Sequence, residues 1–110
     1  ELTHQGPAAE DLGYLCANVW RFGQLHKPVG GFGEYDDLIA GYGSTAGWAP
    51  DLATIRYWEI FAALSWGLVC QTMGALWHSG NGDVERAAVA RRRSEAELDI
   101  LLLIEEWERA

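Results

Sequence analysis

The sequence predicts an all-α fold of about four helices, one of them long and central. Apolar residues recur with a helical period along most of the chain, and segments rich in glycine and proline separate these stretches. Runs that alternate polar and apolar residues between turn dipeptides, the usual sign of strands, do not compete with this pattern. At 110 residues the chain is long enough for one core. We therefore predict a single helical domain over residues 1–110.

The first helix is predicted from Ala8 to Phe22. Its apolar positions share one helical face: Leu12, Leu15, Cys16, Val19 and Phe22. Glu10 or Asp11 near the start places negative charge where the helix dipole favours it. The following segment, 23–33, contains Pro28 and four glycines, which indicates a loop.

A short second helix is predicted from Glu34 to about Tyr42, followed by a loop from Gly43 to Pro50. Asp51 then provides the N-cap of the third helix. No helix breaker occurs until Ser79, so this helix is about 28 residues and roughly 42 Å long. Because it is apolar on nearly all sides, we expect the other helices to surround and bury it.

The last helix is predicted to begin at Asp83 and to continue to Trp107. Gly80 suits the left-handed position that ends the third helix, and Asp83 can cap the next one. The cluster Arg91–Arg93 is interpreted as a charged helix face, with pairs such as Arg91 with Glu95 and Arg93 with Glu97.

Composition restricts the class of protein. A hydrophobic fraction of 49% and six tryptophans predict a folded chain. Sixteen acidic against eight basic residues give a net charge of −8, which argues against a nucleic-acid partner.

The segment Tyr57–Trp77 is apolar enough to be mistaken for a membrane span. We expect a buried soluble helix and no membrane partner, because the other helices can cover it. The opening residues, 1–5, lack the features of a signal peptide, so a cytoplasmic location is expected. Cys16 and Cys70 lie in apolar surroundings and are predicted to be buried free thiols.

No catalytic constellation is recognisable. The three histidines, His4, His26 and His78, do not share a metal-binding spacing, and we predict no metal site. The glycine-rich stretches lack the preceding strand of a phosphate-binding loop. The pairs Asp36–Asp37 and Glu105–Glu106 are adjacent in sequence, so their side chains diverge on a helix and face solvent.

The opening segment nevertheless resembles a known family. Its sequence, from Glu1 to Cys16, is Glu-Leu-Thr-His-Gln-Gly-Pro-Ala-Ala-Glu-Asp-Leu-Gly-Tyr-Leu-Cys. It is similar to the segment after the metal-binding Asp-Trp in phosphotransferases of the aminoglycoside phosphotransferase and choline-kinase-like superfamily. Further similar stretches are Trp20–Gly23, Lys27–Gly33, Tyr57–Phe61 and Leu64–Gly67, so the resemblance covers nearly the whole chain. Many relatives have Asp-Pro where this chain has Pro7-Ala8.

The resemblance implies the C-terminal helical part of a kinase-like enzyme. The ATP-binding lobe, the catalytic-loop Asp and the magnesium-binding Asp would then lie upstream. This expectation agrees with a chain that begins at Glu1 and has Met73 as its one methionine. ATP and magnesium would be cofactors of the whole enzyme, and none is expected for this part alone.

The resemblance also assigns roles to individual residues. Glu1 matches the position after the Asp-Trp pair, close to the metal site of an intact enzyme. Asp11 matches a motif Asp that caps its helix and supports the backbone of the catalytic loop. The helical part of such enzymes supplies the pocket for the acceptor substrate, and the candidates for lining it are Trp20, Arg21, Tyr57, Trp58 and Trp66.

We therefore expect the substrate-binding helical portion of an ATP-dependent phosphotransferase that acts on a small-molecule hydroxyl and is inactive by itself. An alternative from another class is a free-standing helical interaction or oligomerisation domain, with a homodimer formed through exposed apolar surface. A carrier of a small apolar ligand would require an enclosed pocket between helices.

Overall fold

The computed structural model describes residues 4–110, and over that range the all-α prediction is confirmed. The helices are α1 (Ala8–Cys16), a short 3₁₀ helix (Asn18–Trp20), α2 (Tyr35–Ala46), α3 (Leu52–His78), α4 (Val84–Ala90) and α5 (Arg93–Arg109). The described residues form no strand, apart from an isolated bridge between Val29 and Gly33.

The predicted first helix is divided. α1 ends at Cys16 because Ala17 is extended, with φ −62° and ψ 148°, and only the short 3₁₀ helix follows. Beyond it, Phe22 has φ +48° and is 78% exposed, an unusual backbone conformation for a large side chain. The apolar period therefore identified the packed residues Leu12, Leu15 and Cys16 correctly, but neither the end of the helix nor the exposure of Phe22.

α2 is longer than predicted. It continues through Gly41 and Gly43 to Ala46, where Gly47 takes the left-handed conformation with φ +81°. Two glycines in four residues suggested a loop, but a helix tolerates isolated glycines at a cost of about 1 kcal/mol each.

The predicted last helix is interrupted after Ala90, and α4 and α5 lie on either side of Arg91 and Arg92. The amide of Arg92 donates to the carbonyl of Val89, three residues back, which tightens the chain into a turn. The same turn places the Arg92 guanidinium over the ring of Trp66, 5.8 Å from its centroid.

The caps predicted at Asp51, Gly80 and Asp83 are confirmed. The amide of Thr54 donates to Asp51 Oδ1 over 2.8 Å, and the amide of Arg86 donates to Asp83 Oδ1 over 2.9 Å. Gly80 is left-handed, with φ +83°. These three residues act on their immediate neighbours, which is why the sequence alone was sufficient to find them.

The chain forms two compact units, residues 1–62 and 63–110, and α3 contributes to both. In the first unit Cys16, Val29 and Ile55 form the buried centre, and partly buried side chains pack against it: Leu12, Leu15, Tyr35, Leu38 and Ile39. In the second unit the fully covered residues are small: Ala63, Cys70 and Ala96. Both cysteines are free and buried, as predicted.

α3 is much more exposed than expected. It is long and apolar enough to cross a membrane by length and composition, but only 17% of its most apolar 18-residue window is buried. The expectation that the other helices bury this helix is wrong for the residues described. One such helix is weak grounds for a membrane span.

Candidate functional site

The main polar feature of the first unit is a buried ion pair between Arg21 and Glu59. Arg21 Nη2 donates to Glu59 Oε1 over 2.7 Å. The Glu59 side chain is 1% exposed and that of Arg21 is 16% exposed. Glu59 is the one carboxylate of α3, and Arg21 lies just after the 3₁₀ helix, so this pair joins two distant segments.

Tyr35, the first residue of α2, completes the pair from a third segment. Its hydroxyl lies 3.0 Å from Glu59 Oε1 and 2.9 Å from Oε2, and it donates to this carboxylate. We call Arg21, Tyr35 and Glu59 the buried triad. The triad holds together the start of α2, the segment after α1 and the first third of α3.

Arg21 also determines how α1 ends. Its Nε and Nη2 donate to the carbonyl of Cys16 over 3.1 and 3.0 Å, and its Nη1 donates to the carbonyl of Leu25 over 3.0 Å. The Cys16 carbonyl belongs to the last turn of a helix, where backbone acceptors lack a partner within the helix. A side chain five residues further on therefore supplies the C-terminal cap.

Two glycines permit the close packing on which the triad depends. A Cβ at Gly13 would lie 2.5 Å from Trp58 Cβ and 2.7 Å from the amide nitrogen of Glu59, so α1 contacts the backbone of α3 directly. Gly31 has φ +80°, and a Cβ there would lie 2.4 Å from the carbonyl oxygen of Arg21. Side chains at either position would displace a residue of the triad.

Burial dominates the protonation of the triad and its neighbour Cys16. It raises the pKa of Glu59 above its usual range, although the Tyr35 hydroxyl, Arg21 and Arg56 favour the charged form. Burial, and then the charge of Glu59, raises the pKa of Tyr35 well above 10. The same two causes raise the pKa of the Cys16 thiol from 9.0 to about 12.

The side chains of the triad and of Cys16 are suited to stabilising the fold rather than to catalysis. Among the described residues, every buried side-chain nitrogen or oxygen has a hydrogen-bond partner. A thiol whose pKa is about 12 is a poor nucleophile at neutral pH. No group of three or more His, Cys, Asp and Glu residues able to hold a metal ion occurs in the described part of the chain.

The predicted pocket residues Trp20 and Trp58 directly precede Arg21 and Glu59 of the triad in sequence. Their rings contact different aromatic side chains. The Trp20 ring makes edge contacts with Tyr14 and Phe22, and the Trp58 ring makes them with Tyr57 and Phe61. The Arg21 guanidinium donates to Glu59 and to the carbonyls of Cys16 and Leu25. Its role in a pocket stays a prediction.

Trp66 belongs to the second unit, where Arg92 covers its ring. Arg92 also pairs with Glu95 over 2.9 Å, and Arg93 pairs with Glu97 over 2.8 Å. The predicted pair of Arg93 with Glu97 is confirmed. Arg92 takes the place predicted for Arg91 because the chain turns between α4 and α5.

Asp11 does not cap α1. The N-cap is Pro7, which makes no side-chain capping bond, and Asp11 lies exposed within the first turn. The helix begins at Ala8, and the helix dipole favours the charge of Asp11 in this first turn. The predicted support of a catalytic loop stays a prediction, and Glu1 lies outside the described residues.

The sequence did not predict the buried triad. Arg21 was a candidate pocket residue, and Glu59, the one carboxylate of an apolar helix, was not paired with it. A lone acid in an otherwise apolar stretch is the usable signal, because a buried carboxylate requires a partner. The sequence alone did not show which of the basic residues provides it.

Comparisons of this chain with models of protein families, with curated proteins and with solved structures found no match.

Proposed function

We propose that this chain is the substrate-binding helical portion of an ATP-dependent phosphotransferase that acts on a small-molecule hydroxyl. The resemblance of its motifs to the aminoglycoside phosphotransferase and choline-kinase-like superfamily is the origin of the proposal. The chain contributes a scaffold and pocket side chains. The parent enzyme contributes ATP, magnesium and the catalytic carboxylates, and the proposed setting is the cytoplasm.

One observation in particular supports this proposal. The stretch Tyr57–Phe61 lies far in sequence from Trp20–Gly23 and Lys27–Gly33, yet the buried triad and its glycine contacts join all three. A chance resemblance gives no reason for these stretches to form one core. A scaffold shared with that superfamily requires these stretches to pack together.

The proposed chemistry limits what this portion does. Phosphoryl transfer depends on positioning and on stabilising charge with magnesium. The described residues offer exposed aromatic rings, such as Trp20 and Tyr57, against which an acceptor can pack. We assign the support of a catalytic loop to the first unit. The base and the metal ligands are assigned to the parent.

The first test is the coding sequence upstream of Glu1. We expect codons for Asp-Trp directly before Glu1 and, further upstream, a catalytic loop of the form His-x-Asp-x-x-x-x-Asn. A start codon directly before Glu1, or an upstream region without these motifs, would contradict the proposal.

The second test uses the 110-residue chain itself. Titration calorimetry with ATP and magnesium is expected to give no binding heat, while the parent enzyme gives a saturable one. Clear binding by the short chain would refute the assignment of the nucleotide site to the parent.

A free-standing interaction domain is the second candidate. It is favoured by the exposure of α3, of whose most apolar window 17% is buried. Exposed apolar surface of this extent is typical of a contact with another protein. An upstream sequence without kinase motifs would support this candidate over the first.

A further inference from the structure

The turn between α3 and α4 contains an asparagine followed directly by a glycine, Asn81 and Gly82. Both lie outside the helices, and Asn81 is exposed. Asparagine is a thermolabile residue, because its side-chain carbonyl carbon can be attacked by the backbone nitrogen of the next residue. A glycine in that next position favours the attack, since it has no side chain in the way and a flexible backbone. The turn therefore holds both reacting groups of a deamidation.

The contacts of the turn leave these two groups accessible. In this described turn the amide of Gly82 donates to no carbonyl, whereas the amide of Asn81 donates to the carbonyl of Leu76 over 3.0 Å. The side-chain nitrogen of Asn81 is held by one long hydrogen bond, 3.2 Å from Ser79 Oγ. An exposed bond between neutral groups contributes little, because water replaces either partner readily. The Asn81 side chain is therefore free to turn toward the Gly82 nitrogen.

We propose that Asn81 is a site of spontaneous deamidation whose isoaspartate product loosens α4. The Gly82 nitrogen loses its proton to base and bonds to Cγ of Asn81. The bond from Cγ to Nδ2 breaks, and the side-chain nitrogen leaves with a proton as ammonia, so that a cyclic imide remains. Water then opens the imide at either carbonyl: its hydroxyl adds to the carbonyl carbon, and its hydrogen returns to the Gly82 nitrogen. The product is aspartate or, where the main chain now runs through the former side chain, isoaspartate.

The turn has no room for the longer backbone of isoaspartate, which adds a methylene group to the main chain before Gly82. Gly82 packs closely on the end of α3: a Cβ there would lie 2.8 Å from both the Cα and the amide nitrogen of Trp77. Arg86 Nη1 donates to the carbonyl of Asn81 over 2.8 Å, and Asp83 caps α4. The added methylene group displaces these contacts, so the start of α4 loosens.

This chemistry does not rest on the phosphotransferase proposal. The turn lies wholly within the second unit, residues 63–110, and the reaction consumes only water. A helical portion of an enzyme and a free-standing domain would both undergo it.

Peptide mass spectrometry of the aged chain tests the site. The chain is kept in mildly alkaline buffer and digested with trypsin, which places its two asparagines in separate peptides, 1–21 and 57–86. The internal control is Asn18, because the branched side chain of Val19 hinders attack by the next nitrogen. We expect Asn81 to convert faster than Asn18 by about tenfold or more, and faster still at higher pH. Equal rates at the two asparagines would overturn the proposal.

A synthetic peptide of residues 77–86 shows whether the fold protects Asn81. It contains the same asparagine and glycine without the contacts of the folded turn. We expect the chain to convert at a rate within about tenfold of that of the peptide. A chain in which Asn81 stays intact while the peptide converts would overturn the proposal.

The variant Asn81→Gln confirms the position of the reaction. Its longer side chain would have to close a larger ring, so we expect the peptide 57–86 of this variant to stay intact. A deamidation signal that persists in this peptide would place the reaction at another residue and contradict the proposal.

Hydrogen exchange measures the consequence for α4. The aged chain carries an additional negative charge, so anion-exchange chromatography separates it, and a protein isoaspartyl methyltransferase with a labelled methyl donor counts its isoaspartate. The matched control is Asn81→Asp, which has the same charge and an ordinary backbone. We expect the amides of α4 to exchange about tenfold faster in the isoaspartate fraction and less than about twofold faster in the control. Equal exchange in the isoaspartate fraction and the unmodified chain would contradict the proposed loosening of α4.

Discussion

The two units are stabilised in different ways. The first unit is organised by long-range polar contacts, in which Arg21 bonds to Glu59 and to the carbonyls of Cys16 and Leu25. In the second unit Gly67 lies beside Ala96 and Gly74 beside Ala90, where an added Cβ would lie 3.4 and 3.5 Å from the alanine Cβ atoms. The first arrangement fails when one partner is removed, whereas the second leaves room for a methyl group at Gly67 and Gly74.

Replacing Arg21 is the strongest test of whether long-range polar contacts stabilise the first unit. Arg21→Ala leaves the carboxylate of Glu59 buried without its cation and leaves two carbonyls without their donor. We expect the free energy of unfolding to fall by about 3–5 kcal/mol, measured by urea denaturation. Arg93→Ala, which breaks the exposed pair with Glu97, is the control and should cost less than about 1 kcal/mol. Equal losses in the two variants would show that the triad is not a special source of stability.

Alanine substitutions at Gly13 in the first unit and Gly67 in the second should change stability in opposite directions. Gly13→Ala places a methyl group 2.5 Å from Trp58 Cβ and 2.6 Å from its backbone, and should destabilise the fold by about 1–3 kcal/mol.

Gly67→Ala places a methyl group 3.4 Å from Ala96 Cβ, where it fits. Because alanine favours a helix over glycine, this variant should gain up to about 1 kcal/mol. Gly41→Ala in α2, where the added Cβ meets nothing within 4 Å, reports the helix preference alone. A loss of stability in Gly67→Ala as large as that in Gly13→Ala would remove the distinction between the units.

The difference between local contacts and contacts of distant residues explains which features the sequence could predict. The caps Asp51 and Asp83 and the left-handed Gly80 act within one turn, and all three were identified. The end of α1 was missed because Arg21 reaches back to Cys16 while binding a residue 38 positions away. Local pattern carries no information about that distant partner.

The exposure of α3 was missed for a related reason. An apolar helix is expected to be buried, and the sequence does not specify how much surface the neighbouring helices can cover. α5 has enough apolar residues to cover a helix, yet Leu98, Leu101 and Leu102 are themselves 47–67% exposed. The composition shows that these leucines are present, but it does not show that their side chains are exposed.

Alkaline pH should weaken the first unit through Tyr35 and Cys16. Both groups have a folded-state pKa above the ordinary one, 10.0 for the phenol and 9.0 for the thiol. Their contribution to stability is therefore complete below about pH 9 and is lost as the pH rises toward 12 and beyond. The urea midpoint of the wild-type chain should fall over this range, and that of Tyr35→Phe should fall less steeply. Equal slopes would mean that the phenol ionises alike in the folded and unfolded states.

The two cysteines report on the units separately. Each is 0% exposed, so modification by iodoacetamide requires the unit around it to open. Around Cys16 an opening must break the buried triad, whereas around Cys70 it separates small residues such as Ala96 from α3. We expect Cys70 to react faster by about tenfold, which corresponds to about 1.4 kcal/mol less opening free energy. Mass spectrometry of the digested protein gives both rates, and rates in urea correct for intrinsic reactivity. If Cys16 reacts first, the polar triad does not make the first unit the more resistant one, and the apolar packing of the second unit is stronger than its small residues indicate.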